Sequence, residues 1–448
     1  MPIQFIQDIH IEEPGQDALG MLEFVQTIED ALQATQPPFV YGLIGDWGCG
    51  KTSTMKLLCQ RMDSALRARK SRLAESVFVP IWFNPWMYEN EASVVYPLLH
   101  AIQKDFTNRL GDQPSPELKR RFSRVVKGAF IALADLGLRA TTHYFLGEKM
   151  TLDEAGKALA LSEQDESAAL LEKVMHKWAD EVGELKAVFA ALLSGYAEEL
   201  AHALDITADQ VRFVICLDDL DRCLPQTVIQ ILESIKNFLT VRNTIFVLGM
   251  NAKVVAQGIR SKYPGQDVDG REYLEKIVNY SFYVPAPELP VLEKFCQDLL
   301  QTILPQEQGN RTPSRATFGS EFATILKDGR FNNPRKIKRI LNRYRLLLTQ
   351  HRGDLDSASH KSLVRLLVIS EYFPQLFSLL LASADEVMSD LYNGGKGVDI
   401  QKFEEKWHIP IMPVYRQLIT MKDLFRAEIQ GIKLGVYVQA VFAITHSL

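Results

Sequence analysis

Cysteine gives this chain no framework to fold on. Cys49, Cys59, Cys216, Cys223 and Cys296 are odd in number and include neither a C-x-x-C pair nor a Cys/His ligand cluster. That pattern disfavours a disulfide scaffold and a zinc site, and a reducing, cytoplasmic setting is expected. Long apolar runs are also missing. The longest uncharged stretches, residues 31–45 and 434–448, fall short of the roughly 18 residues a spanning helix needs, so no transmembrane segment is expected. Residues 1–12 show no basic start leading into an apolar stretch, which argues against a signal peptide. A net positive charge is missing as well. With a net charge of −5, attraction to nucleic acid or anionic lipid is not built into the whole chain, and any such binding must be local. What remains is a globular composition over 448 residues, 47% hydrophobic and 23% charged. It suffices for roughly two to four packed units with a large core.

Residues 45–52, Gly45-Asp46-Trp47-Gly48-Cys49-Gly50-Lys51-Thr52, read G-x-x-x-x-G-K-[ST]. They follow a short β-prone run, Phe39–Ile44, and lead into helical patterning over residues 52–61, with Met55, Leu57, Leu58 and Met62 placed to face a sheet. Strand, loop and helix in that order make a phosphate-binding loop. Glycines let several backbone N–H groups converge on phosphate oxygens, and the helix N-terminus adds partial positive charge. Lys51 supplies a mobile cation, Thr52 a hydroxyl for Mg²⁺, and Ser53 completes the nucleotide-contacting set.

A second apolar run, Val211–Leu217, delivers Asp218-Asp219-Leu220-Asp221-Arg222 at its carboxyl end. Ligands of open α/β sheets gather at such strand ends, so Asp218 is expected to hold Mg²⁺ and Asp219 to orient or deprotonate an attacking water. The interval from Thr52 to Val211 far exceeds what one strand and two helices need, so an insertion is implied. Val77–Phe83 supplies an intervening strand ending in Asn84-Pro85-Trp86, and helical patterning resumes over residues 92–108. Residues 111–208 then show only helix-like periodicity, with a basic Lys119-Arg120-Arg121 cluster early and an excess of carboxylates later.

Thr244–Met250 reads as a third strand after the loop strand and ends at Asn251, which suits either a γ-phosphate sensor or a helix cap. Residues 281–284 form a last short run. Beyond them, Asn333-Pro334-Arg335 opens an amphipathic helix with an apolar stripe of Ile337, Leu341, Tyr344 and Leu348. Arg335 sits at the start of that lid helix, placed to reach a nucleotide.

With G-D-W-G-C-G-K-T, F-N-P-W, C-L-D-D-L-D-R-C, Y-L-E-K-I-V and N-N-P-R-K-I-K-R-I-L-N-R in this order, residues 17–350 resemble the KAP family of P-loop ATPases. The resemblance implies an α/β P-loop NTPase core with a parallel sheet. Its segments are an N-terminal helical segment (1–37), a first core segment (38–110), a helical insertion (111–208), a second core segment (209–290), a helical lid (291–352) and a C-terminal helical region (353–448). It also implies ATP and Mg²⁺ as ligands. Lys51 and Thr52 then serve phosphate and metal, Asp218 the metal, Asp219 the water and Arg335 a second sensor. Arg222 is a charge-stabilising arginine, in cis or across a subunit contact. Many members carry transmembrane helices between the two motifs. Here residues 125–145 are interrupted by Lys127, Asp135, Arg139 and His143, which resembles the soluble bacterial branch containing phage-exclusion and antiphage-defence ATPases. Asn251 stands where an aspartate is frequent in the family.

The expected function is hydrolysis of Mg-ATP to switch a protein partner, encoded nearby, or a homo-oligomer. The rivals are a small-molecule kinase, a nucleotide-gated scaffold with little turnover, and a nucleic-acid loader. The loader draws on residues 330–352, which hold eight Lys or Arg and no Asp or Glu, but aromatic interleaving there is limited to Phe331 and Tyr344. Direct nucleic-acid binding is accordingly the less favoured reading.

Overall fold

In this computed structural model of the chain, the residues described are 5–11, 13–68, 76–89, 94–110, 181–236, 241–262, 269–303, 322, 333–350, 357–392, 400–408, 438–439 and 441–443. They fall into two compact units. One comprises Ile11–Gln16 and Leu22–Val284, the other Met1–His10, Asp17–Met21 and Pro285–Leu448.

The first unit runs α1 (Met21–Ala34), β1 (Phe39–Ile44), α2 (Lys51–Arg67), β2 (Val77–Phe83), α3 (Val95–Leu110), α4 (Glu181–Leu204), β3 (Val211–Leu217), α5 (Pro225–Ser234), β4 (Thr244–Met250), α6 (Ala252–Lys262), α7 (Gly270–Glu275) and β5 (Tyr280–Tyr283). Its strands form one five-stranded parallel sheet in the order β2-β3-β4-β1-β5. Four strands have the bounds expected from their apolar runs. The fifth begins one residue earlier, because Tyr280 already pairs with Tyr41; Val284 still donates its N–H to Ile44 O at 2.9 Å just beyond the last paired residue. Every residue of β4 is buried, as a strand covered on both faces requires. Pro80 lies on β2, the edge strand, where its missing N–H removes no ladder bond, and Arg109 Nη2 donates to its carbonyl at 3.0 Å.

Helix α2 buries Met55, Leu57, Leu58 and Met62, as the periodicity predicts. Helix α3 starts and ends slightly later than residues 92–108. Of the expected insertion, residues 111–180 lie outside the described residues, the basic 119–121 cluster among them. Its described end, α4, is apolar on the inside: Phe189, Leu192, Leu193, Tyr196 and Leu200 join the core that also holds residues of β2 and β3. Tyr196 Oη donates to Asp105 Oδ2 at 2.8 Å, and Arg109 bridges Asp105 on α3 (2.8 Å) to Asp63 on α2 (2.6 Å). Burial pushes the Asp105 carboxyl up against the opposing pull of Arg109.

The second unit contains α8 (Leu289–Ile303), α9 (Pro334–Gln350), α10 (Ser357–Tyr372), α11 (Pro374–Tyr392) and α12 (Ile400–Trp407). The predicted stripe of α9 is inside: Ile337, Leu341 and Tyr344 are buried and Leu348 packs partly against the same core. Val438 and Val441 are buried there too, so this stretch of the C-terminal tail serves packing. Among the described residues, no helix is long and apolar enough to cross a membrane.

Candidate functional site

The connections from β1 and β4, neighbours in the sheet, leave in opposite directions, one toward β2 and the other toward β5. Such a switch point opens a crevice at the strands' carboxyl ends. The loop after β1 begins with Gly45 N donating to Met250 O at 3.2 Å. Gly48 (φ 80°) and Gly50 (φ 105°) then take left-handed conformations that other residues adopt only with strain. A Cβ on Gly45 would collide with Cys49 Sγ. The first bond of α2 runs from Thr54 N to Gly50 O at 2.9 Å, which leaves the N–H groups of Lys51, Thr52 and Ser53 without intrahelical acceptors. Together with the helix dipole they form an anion site.

Lys51 is folded back over this loop. Its Nζ donates to Gly45 O at 2.9 Å and Asp46 O at 3.2 Å, with Asp221 Oδ2 at 3.8 Å. Trp47 Nε1 donates to the same Asp221 oxygen at 2.5 Å. Asp221 therefore ties the phosphate loop to the end of β3, a role sequence reasoning missed. The signal was present as the third carboxylate of the acidic motif. Ser53 Oγ accepts the Ile11 N–H at 3.3 Å, and burial raises the half-buried Cys49 thiol despite the nearby Lys51. All of Gly45, Asp46, Trp47, Gly48, Cys49, Gly50, Lys51, Thr52 and Ser53 thus lie in one continuous loop and first helical turn.

Asp218 and Asp219, though adjacent, meet different surroundings. Asp218 is 1% exposed, and neither carboxylate oxygen completes a hydrogen bond. The Thr52 hydroxyl is near enough to favour the charged form, yet burial dominates and raises the pKa. Gly249 on β4 lies alongside, where a Cβ would stand 2.8 Å from Asp218 Oδ1. An orphaned buried carboxylate beside a hydroxyl is a hard-oxygen donor pair, so these residues fit Mg²⁺. Among the described residues no group of three or more His, Cys, Asp or Glu gathers to hold a metal. A cation here would therefore complete its shell from phosphate oxygens and water.

Stability at this position depends on pH in a definite sense. The folded pKa exceeds the unfolded one, so without a cation the native state binds more protons between the two values, and stability falls as pH rises through that window. Asp218→Asn is expected to stabilise the chelator-treated protein near neutral pH by about 1 kcal/mol and to abolish any stabilisation by Mg²⁺. Thermal unfolding with and without Mg²⁺ checks this, and a lower melting temperature in chelator would show that the carboxylate has a partner.

Asp219 adopts a left-handed backbone, φ 59° and ψ 30°. Its Oδ2 accepts from Asn84 Nδ2 at 3.0 Å, and its Oδ1 from Arg222 Nε at 2.9 Å. Arg222, expected as a charge-stabilising arginine, is here the partner of Asp219, with its guanidinium 5.2 Å from the Trp86 ring centroid. Asn251 takes the helix-cap alternative and also reaches the phosphate loop. Its Oδ1 caps α6 by accepting from Lys253 N (3.1 Å) and Val254 N (3.4 Å), while Nδ2 donates to Asp46 Oδ1 at 3.1 Å.

Arg335 belongs to the second unit, where its Nε meets Asp8 Oδ2 at 2.5 Å. Other cations of α9 also have partners within that unit. Arg339 and Arg343 share Glu371, whose side chain is only 4% exposed, at 3.1 Å and 2.6 Å. Lys336 Nζ lies 4.1 Å from the Tyr372 ring centroid, and burial depresses the pKa of Lys338. Arg330 and Arg352 lie outside the described residues. Three arginines of a stripe that looks free in sequence are thus paired within their own unit. No complex with a generic duplex or single strand tighter than about micromolar is expected near physiological salt. Fluorescence anisotropy checks this. A nanomolar complex whose salt slope falls on replacing Lys336, Lys338 and Arg339 by Ala would overturn it.

A family model described as the KAP family P-loop domain matches residues 22–349. The phage T7 exclusion protein of Escherichia coli (strain K12) is 19% identical over 356 residues, which covers 75% of this chain and 42% of that protein. This chain therefore spans about two fifths of the length of the curated relative it matches. Among solved structures, the Aeropyrum pernix ORC2 protein in its ADPNP-ADP complexes aligns at 12% identity over 98% of this chain and 97% of that chain, with a TM-score of 0.38. The Aeropyrum pernix ORC1 protein in complex with DNA aligns at 12% identity over 93% and 85%, with a TM-score of 0.34. Scores at that level carry no argument about what this chain does.

Proposed function

The chain belongs to the KAP family of P-loop NTPases, and from that premise we propose that it binds and hydrolyses Mg-ATP to switch a protein partner or a second copy of itself. The observation that carries this reading is the division of labour between the two aspartates after β3. Asp218 is buried beside Thr52 with both oxygens unsatisfied, the condition of a metal ligand, whereas Asp219 is held in a fixed direction by two donors. Hydrolysis calls for a second carboxylate to orient or deprotonate water, which nucleotide binding by itself does not.

When bound, Mg²⁺ neutralises charge on the β- and γ-phosphates. Thr52 and Asp218 would hold it, and the amides at the start of α2 with Lys51 would bind phosphate oxygens. Asp219 would accept the proton of the attacking water. Arg335 keeps a sensor role on the family resemblance alone. Phosphate release by the purified chain with Mg-ATP tests the reading; tight binding without release above background would replace it with the nucleotide-gated scaffold. That second reading draws support from the occupied state of both Asp219 oxygens. The loader reading loses support from the internal pairing of the α9 cations.

A phage-exclusion relative supports a role in antiphage defence. Phage plating on cells that carry the wild-type gene or its Lys51→Ala variant tests this. Equal plating efficiency on wild-type, variant and gene-free cells across a phage panel would remove the role.

A further inference from the structure

Two donors hold the Asp219 carboxylate, and both lead to one exposed turn. Asn84 Nδ2 reaches Oδ2 at 3.0 Å, while the Asn84 side-chain oxygen accepts the Trp86 N–H at 3.1 Å and so caps the 3₁₀ turn Pro85–Tyr88. Arg222 Nε reaches Oδ1 at 2.9 Å, and its guanidinium lies 5.2 Å from the centroid of the Trp86 ring. Trp86 therefore meets one donor through its main chain and the other through its side chain. We propose that Trp86 is a positioning residue that sets the direction of the Asp219 carboxylate toward the attacking water. The inference rests on the hydrolytic reading above and adds a residue to it.

Among the described residues, the ring contact that Trp86 makes is the one with Arg222. Trp86 is 44% exposed and the next residue, Met87, is 74% exposed, so the turn is not anchored by burying either side chain. A surface tryptophan that is not in the core contributes through the contact its ring makes, which here is the face offered to Arg222. Asp219 has a left-handed backbone and lies beyond Leu217, the last paired residue of β3, so no main-chain ladder controls it. Its orientation is left to the two side-chain donors. A carboxylate oxygen that already accepts one hydrogen bond keeps its remaining lone pair in a defined direction. Water activation is sensitive to that direction, since misplacement by about 1 Å can cost on the order of 100-fold in rate.

Trp86→Ala removes the ring but keeps the main-chain N–H, so the Asn84 link survives and only the Arg222 link is released. In single-turnover hydrolysis the variant is expected to slow by about 10-fold with Mg-ATP affinity unchanged within about twofold. Trp86→Phe, which still offers a ring face to the guanidinium, should restore most of the rate. A readout without nucleotide is the Arg222 Nε–H resonance in nitrogen-edited NMR of the full chain, identified by its loss in Arg222→Lys. It should shift and exchange faster with water in Trp86→Ala and stay in place in Trp86→Phe. An unmoved resonance in Trp86→Ala overturns the proposal whether or not the protein hydrolyses ATP. A Trp86→Ala variant that turns over as fast as wild type, or faster, also overturns it and leaves the hydrolytic reading intact. Absence of turnover in wild type with the resonance shifted as expected would instead sink the hydrolytic reading, and the positioning role with it, while still placing Trp86 in control of Arg222.

Discussion

Asp219→Asn is expected to keep Mg-ATP affinity within a few-fold of wild type and to slow turnover by about 100-fold or more, the range associated with loss of a positioned base. The asymmetry follows from where the two aspartates sit. Asp218 is buried beside Thr52 and would contribute to the metal site already in the ground state. Asp219 holds its carboxylate toward Asn84 and Arg222 and would act on a water only as the reaction proceeds. Asparagine preserves the size of the side chain and one acceptor for those donors, but it cannot take a proton. Binding and chemistry should therefore separate, with isothermal titration showing little change and single-turnover phosphate release showing the loss. Equal rates for variant and wild type would remove Asp219 from the mechanism and favour the scaffold.

Mg-ATP is expected to raise the melting temperature of the wild-type chain by several degrees, and Lys51→Ala to abolish that rise. At a ligand concentration of roughly 100 times Kd, binding to the native state alone adds about 2.7 kcal/mol. Lys51 is central because it is the cation of the loop. Its Nζ is parked on the Gly45 and Asp46 carbonyls near Asp221, inside the crevice that phosphate oxygens would enter. Removing it leaves the amides of the α2 N-terminus but no full positive charge in the loop. Differential scanning calorimetry of both proteins, each with and without Mg-ATP, is the measurement. An undiminished shift in the variant would show that nucleotide binds elsewhere.

Much of the nucleotide crevice is legible in the sequence because its components are local. The strands are continuous apolar runs, the loop needs glycines where φ is positive at Gly48 and Gly50, and the carboxylates directly follow the β3 run. Each feature depends on a few neighbouring residues, and backbone stereochemistry and strand burial constrain those neighbours strongly. The bounds of β5 are less legible. A four-residue edge strand carries little periodic signal, and its start is set by pairing with Tyr41.

What tertiary structure decided is which polar groups meet. Trp47 bonds Asp221 across 174 positions, Asn84 bonds Asp219 across 135, and Asn251 reaches Asp46 across 205. None of these pairs has a spacing that marks it in the sequence. They form because the order β2-β3-β4-β1-β5 brings the carboxyl ends of β1, β2, β3 and β4 to one crevice. The basic helix teaches the same lesson in reverse. Composition displays the cations of α9, but Glu371, 28 positions beyond Arg343, is what pairs with two of them. By itself the sequence determined the element types, the phosphate loop and the acidic strand end, because those follow from local sterics and burial. Partnership among charges was settled only by the fold, since Coulomb and hydrogen-bond energies depend on distances in space that the order of residues does not specify.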